Sequence, residues 1–219
     1  MNRNAMTSSK SFRAALSLCA LASGALLLSA CAEQDGSQGP DGLYTPAAGD
    51  PPLKGAQLGG EFELIDSSGK TVRWSDFDGQ YRIVYFGFAY CPDICPTDVQ
   101  RMIQGLNMVA QSDPALAGKI QPIFISVDTE RDTPEIVGEF TSAFSDDLIG
   151  LTGSAEAVKE AADKFSVFYS RGEDTPGGGY LVDHTRIVYF FGPQGEPLAT
   201  LPTDLGPQAV ADEIRKWAS

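Results

Sequence analysis

Four cysteines and one histidine are the whole stock of soft metal ligands and strong nucleophiles in this chain. Two of the cysteines, Cys91 and Cys95, stand four apart in Tyr85-Phe86-Gly87-Phe88-Ala89-Tyr90-Cys91-Pro92-Asp93-Ile94-Cys95-Pro96. That stretch reads as the C-terminal end of a strand running into a helix, the edge at which open α/β sheets carry reactive groups. On a helical turn a four-residue spacing puts both sulfurs on one face, with Cα atoms roughly 6 Å apart. Two chemistries fit: a disulfide, or two thiolates converging on one metal. The N–H groups and positive dipole end of the helix N-terminus favour thiolate over thiol. Pro92 and Pro96 stiffen the turn and remove two donors. A purely structural disulfide is the plainer reading, but so short a loop removes little unfolded-state entropy.

His184, in Leu181-Val182-Asp183-His184-Thr185-Arg186, is placed just before a strand and beside a glycine-rich loop. A lone histidine is more often a hydrogen-bonded loop residue than a ligand. Two thiolates and an imidazole, however, make a small soft set that suits Cu(I) and accommodates tetragonal Cu(II). Zinc asks for a fourth ligand, and the domain holds no further cysteine or histidine. Asp93 and Asp183 are candidates for outer-shell acceptors or weak extra ligands, with plain solvated carboxylates as the alternative.

The elements that must position these residues follow from periodicity. Phe62–Trp74 holds two short extended runs around Ser68-Gly69, a hairpin signal. Arg82–Phe88 reads as a buried central strand, Pro96–Gln111 as an amphipathic helix, and Ile120–Val127 as a second strand. A helix is expected over Thr133–Phe144 with Pro134 in its first turn, a short strand over Leu148–Leu151 and a helix over Ser154–Phe165. Arg171–Gly179 reads as a loop, Tyr180–Val182, Arg186–Phe191 and Leu198–Leu201 as strands, and Pro207–Trp217 as the closing helix. Alternating strands and helices followed by a late antiparallel hairpin make an α/β, thioredoxin-like fold with an extra N-terminal β-hairpin.

Ahead of this domain, residues 1–13 carry Arg3, Lys10 and Arg13 and no acid, and an apolar run, Ala14–Leu28, follows. That is a secretory signal, short for a membrane-spanning helix. It ends in Leu28-Ser29-Ala30-Cys31, which resembles a bacterial lipobox, so residues 1–30 are expected to be removed and Cys31 to carry a lipid. Ordinary cleavage after Ala30 would instead leave Cys31 free. Cys19 falls in the discarded segment. Residues 31–60, rich in glycine and proline, are expected to be a lipid-anchored flexible tether, and residues 61–219 the domain. With 219 residues, 42% apolar and 21% charged, the chain is neither disordered nor a multi-span membrane protein. Its net charge of −13 would repel phosphate backbones, which argues against nucleic acid as a partner.

Three segments in order, Gly87–Pro96, Ser126-Val127-Asp128-Thr129-Glu130-Arg131-Asp132-Thr133-Pro134-Glu135 and Val182-Asp183-His184-Thr185, resemble the signatures of the Sco/SenC family. The likeness runs from about Phe62 to Trp217. It implies a membrane-tethered, thioredoxin-like copper metallochaperone that helps assemble the CuA centre of cytochrome c oxidase subunit II. By the same likeness the copper ligands fall on Cys91, Cys95 and His184, and a copper donor protein is implied. Many members carry a transmembrane anchor where this chain has the lipobox at Cys31. The expected site is the periplasmic face of a bacterial envelope membrane, the inner one favoured. The acids and Arg131 of Asp128–Glu135 read as bracing a loop near the site. In a rival reading Cys91 and Cys95 are the attacking and resolving thiols of a thiol–disulfide reductase that keeps the target's cysteines reduced. The CxxxC spacing, against the usual CxxC, weighs against it. A peroxidase lacks its usual proline- and threonine-containing lead-in here, and a purely structural extracellular domain is the remaining alternative.

Overall fold

The computed structural model describes residues 49–174 and 179–218. The expected signal segment, Cys31 and the first part of the expected tether lie outside the described residues. Strands β1 (Glu63–Asp66) and β2 (Thr71–Arg73) pair as the expected hairpin. Its turn is closed by the Asp66 carboxylate, which accepts from Ser68 N–H and Lys70 N–H, while Gly69 takes the left-handed φ of 79°.

The seven residues of β3 (Tyr81–Gly87) are all buried, as expected for a strand covered on both faces. Helix α1 (Ile94–Ser112) and the short α2 (Pro114–Ala117) lead to β4 (Ile120–Ser126), parallel to β3. Thr133 caps α3 (Pro134–Ser142) by accepting from Ile136 N–H, and β5 (Ile149–Thr152) follows, parallel to β4. Ser154 caps α4 (Ala155–Lys164) in the same way. Then come β6 (Tyr169–Asp174), β7 (Tyr180–His184), β8 (Val188–Phe191), β9 (Pro197–Leu201) and α5 (Pro207–Trp217).

The main sheet has the order β2-β1-β5-β4-β3-β8-β9, with the parallel β5-β4-β3 at its centre and β8 and β9 antiparallel beyond. This is the thioredoxin-like arrangement, extended at one edge by the β1–β2 hairpin through the antiparallel β1–β5 pair. Phe165 lies at the middle of its aromatic core, with ring contacts to Phe62, Trp74, Phe86, Tyr189 and Phe191. Gly87 and Ser126, the last residues of β3 and β4, are register partners, and the cysteine segment leaves the sheet at that edge.

Three readings change. Arg171–Asp174, expected as loop, belongs to strand β6, which pairs with β7 in a separate two-stranded ribbon. Its polar run Ser170-Arg171-Gly172-Glu173-Asp174 has little strand preference of its own, so the pairing comes from the partner. Consequently His184 ends a strand instead of preceding one. Residues 49–60, read as the end of a tether, lie on the domain. Leu53 and Leu58 pack against the core, Leu53 N–H donates to the Leu198 carbonyl at 2.9 Å, and Gly59 N–H donates to that of Lys164 at 2.9 Å.

Candidate metal centre

Helix α1 begins one residue before Cys95, and its N-cap, Asp93, makes no side-chain cap. The sulfur of Cys91 does that work instead, accepting the Cys95 N–H at 3.3 Å. Cys91 is half-buried, Cys95 fully buried, and both are free thiols. Burial, reinforced by the neighbouring Cys91, pushes the Cys95 thiol well above its usual range. The two sulfurs are therefore unequal: Cys91 is reachable from solvent, whereas Cys95 is held as a thiol until something positive arrives.

On β7, side chains alternate. Leu181 and Asp183 are exposed, whereas Tyr180, Val182 and His184 turn inward. This alternation brings the imidazole to the cysteines, with Nε2 3.3 Å from Cys95 Sγ. Nδ1 lies 3.1 Å from the carbonyl oxygen of Thr185. A carbonyl only accepts, so Nδ1 must carry the hydrogen and Nε2 must present its lone pair towards the sulfur. Thr185 is itself fastened, its N–H donating to the Phe168 carbonyl at 2.8 Å and its hydroxyl accepting the Phe168 N–H at 3.0 Å. The rings of Tyr85 and Phe88 meet the imidazole edge-on at 6.0 and 5.9 Å. Burial holds the His184 pKa below its ordinary value, and the Arg186 cation adds to that. The ring is neutral, as a ligand must be.

A Cβ on Gly87 would come within 3.3 Å of Cys95 Sγ and 2.9 Å of Phe124, so only glycine leaves the sulfur clear. A groove of about 290 Å³, lined by Phe88, Cys91, Pro92, Leu181 and His184 among others, opens the site to solvent. Among the described residues no three His, Cys, Asp or Glu side chains already stand as a closed ligand set. The arrangement is a sulfur–imidazole pair with the second sulfur one helical turn away. Asp93 and Asp183 are both exposed, and the group that orients the imidazole is the Thr185 carbonyl, not either carboxylate.

Sequence reasoning missed the layer beneath Cys95. Asp98, one turn further along α1, is 1% exposed. It accepts from Tyr85 Oη at 3.2 Å, from Thr203 Oγ1 at 3.0 Å and from Arg186 Nη2 at 3.1 Å. Burial, with Cys95 and Asp98 alongside, holds the Tyr85 phenol far above its usual value. A carboxylate so enclosed is tolerable only because a guanidinium and two hydroxyls face it. The available signal was Asp98 interrupting the apolar face of α1, three residues from Cys95, together with Arg186 close to His184 in the chain.

The sequence pattern of the family described as SCO1/SenC matches residues 50–219. The mitochondrial protein SCO2 of Saccharomyces cerevisiae is 38% identical over 160 residues, which are 73% of this chain and 52% of the relative. A structure of Bradyrhizobium japonicum ScoI with copper bound superposes with a TM-score of 0.64 at 32% identity, covering 73% of this chain and 99% of the other. Yeast Sco1 with copper bound gives a TM-score of 0.67 at 35% identity over 73% and 87% of the two chains. This chain spans about half the length of the curated relatives it matches.

Proposed function

This chain belongs to the SCO1/SenC family, and from that membership and the site's chemistry we propose that it is a copper metallochaperone. Cys91 and Cys95 as thiolates and His184 through Nε2 hold the copper, which is cargo. The observation that carries the reading is the 3.3 Å approach of His184 Nε2 to Cys95 Sγ, with Nδ1 already committed to the Thr185 carbonyl. Both thiols give up their protons on loading. The cation reverses the cost of a buried thiolate at Cys95, because its charge replaces the solvation that burial removed. A three-coordinate ion leaves room for an incoming thiolate before an outgoing ligand departs, so delivery proceeds by ligand exchange. The proposed recipient is the CuA site of cytochrome c oxidase subunit II, and a separate donor protein loads the copper. A lipid on Cys31 would hold the protein on the periplasmic face of the envelope. Among the described residues no helix is long and apolar enough to cross a membrane.

Anaerobic copper titration of the reduced protein tests this. Cys91→Ser, Cys95→Ser and His184→Ala are each expected to weaken copper binding by about 10-fold or more, since each removes a ligand from a set of only three. Wild-type affinity in all three would sink the assignment.

One observation favours a second reading. The unequal thiols, an accessible Cys91 beneath a helix N–H and a buried Cys95, also suit a reductase in which Cys91 attacks and Cys95 resolves. The two readings separate at His184→Ala, which should lose copper handling while dithiol exchange persists. Oxidation to a Cys91–Cys95 disulfide would abolish copper binding in either case.

A further inference from the structure

The loop between β4 and α3, residues 127–133, has no part in the chemistry above, yet it touches both halves of the site. At one end, Asp132 Oδ2 accepts the Ala89 N–H at 2.7 Å and the Ser126 hydroxyl at 2.5 Å. Ala89 lies two residues before Cys91, so this grip fixes the chain as it leaves β3. At the other end, Asp128 Oδ1 accepts from Tyr180 Oη at 2.7 Å. Arg131 joins the two, its Nε donating to Asp128 Oδ2 at 2.6 Å and its guanidinium lying 3.6 Å from the centre of the Tyr180 ring. The same guanidinium is 5.2 Å from the ring of Tyr90, the residue before Cys91. Arg171 of β6 lies against Tyr180 as well, at 3.9 Å.

These contacts matter because of how His184 is held. Among the described residues β7 pairs only with β6, so no backbone ladder ties the His184 strand to the main sheet. Besides the chain that continues through Arg186, bound to Asp98, into β8, its attachment runs through the inward side chains Tyr180, Val182 and His184. Tyr180 and His184 share one face of the strand about 13 Å apart, so an anchor at the first sets where the second falls.

We propose that loop 127–133 positions the site by gripping both ligand-bearing segments, and that the Arg131–Tyr180–Asp128 contact sets how firmly His184 is held against the cysteines. Asp128, Arg131, Asp132 and Tyr180 are positioning residues, with Arg171 as support. The copper side of this inference rests on the metallochaperone reading; the mechanical side does not.

The test compares Arg131→Ala, Tyr180→Phe and the wild type by amide hydrogen exchange without metal, and by the rate of copper loss to a chelator. In Arg131→Ala, amides of Tyr180–His184 should exchange faster while those of β3 and β4 keep their protection. Copper should leave about 10- to 100-fold faster, the usual scale for removing support behind a ligand. Tyr180→Phe keeps the ring under the guanidinium and loses only the hydroxyl, so it should fall between. Wild-type exchange and release in both variants would overturn the proposal, and so would loss of protection spread equally over β3 and β4. Should Arg131→Ala fail to fold, Tyr180→Phe decides alone. A wild-type protein that takes up no copper would sink the metallochaperone reading, while the exchange data still judge the grip.

Discussion

His184 carries two jobs that pull on its protonation, and its surroundings resolve them in one direction. Its Nδ1–H is spent on Thr185, and burial beside Arg186 keeps the ring neutral. An imidazole whose folded value lies below its ordinary 6.5 lets the unfolded chain take up the proton first as pH falls. This group's contribution to stability is therefore present above pH 6.5 and lost as pH drops below it. Urea midpoints of the metal-free protein should decline across that range, and His184→Ala should lack that part of the slope. Asp98 allows a second measurement. Arg186→Ala leaves its buried carboxylate short of a cation, at a cost of about 1–3 kcal/mol once the half-exposed guanidinium is discounted. With Asn at position 98 the same arginine removal should cost clearly less. A double-mutant cycle by chemical denaturation that finds equal costs would show the pair uncoupled.

At the scale of elements, the site is a meeting of three pieces: the β3–α1 junction, the ribbon β6–β7 and the loop 127–133. The junction is rigid because both its strand and its helix are packed. Helix α1 lies against α5 at Gly105, where an added Cβ would come within 2.5 Å of Val210 Cγ1 and 2.9 Å of the Pro207 carbonyl oxygen. Gly105→Ala gains about 1 kcal/mol of helix propensity. It meets an overpacking cost of about 1–3 kcal/mol, and the backbone oxygen cannot step aside as a side chain can. Net destabilisation is expected in a thermal melt, partly relieved by Val210→Ala, which removes the shortest contact, to Cγ1, and leaves those to Cβ and to the Pro207 oxygen. Net stabilisation would mean that α5 shifts freely over α1. The ribbon was the element least legible in the sequence. Its first strand is polar, and such a run becomes extended only when a neighbour offers a ladder. The helices, in contrast, showed their apolar stripes in the sequence alone, and the first residues of two expected ranges, Thr133 and Ser154, are their caps in the structure.

For the molecule as a whole, the boundary of the folded unit lies upstream of Glu61. Residues 49–60 contribute two partly covered leucines and backbone hydrogen bonds to β9 and to the end of α4. A protein starting at Glu61 should be less stable than one starting at Gly49 by about 1–3 kcal/mol. For a domain of this size that corresponds to roughly 2–4 °C of melting temperature per kcal/mol. Equal melting temperatures would show the segment to be an ornament on the surface. The low hydrophobicity that made it resemble a tether is real. Glycine and proline dominate it, and only Leu53 and Leu58 find the core.

What the amino-acid order determined unaided is whatever depends on neighbours close in the chain. The Cys91–Cys95 spacing, the turn at Ser68-Gly69, the helix caps and the apolar periodicities are of that kind. Tertiary structure alone decided what depends on residues far apart: the face of β7 on which His184 falls, its approach to Cys95 across 89 positions, and the enclosure of Asp98 by Tyr85, Arg186 and Thr203. The double grip of loop 127–133 belongs with these. Local preference is set by sterics and hydrogen bonding within a few residues. The meeting of distant side chains is set by which strands pair and how the core closes, and no stretch of sequence holds that information by itself.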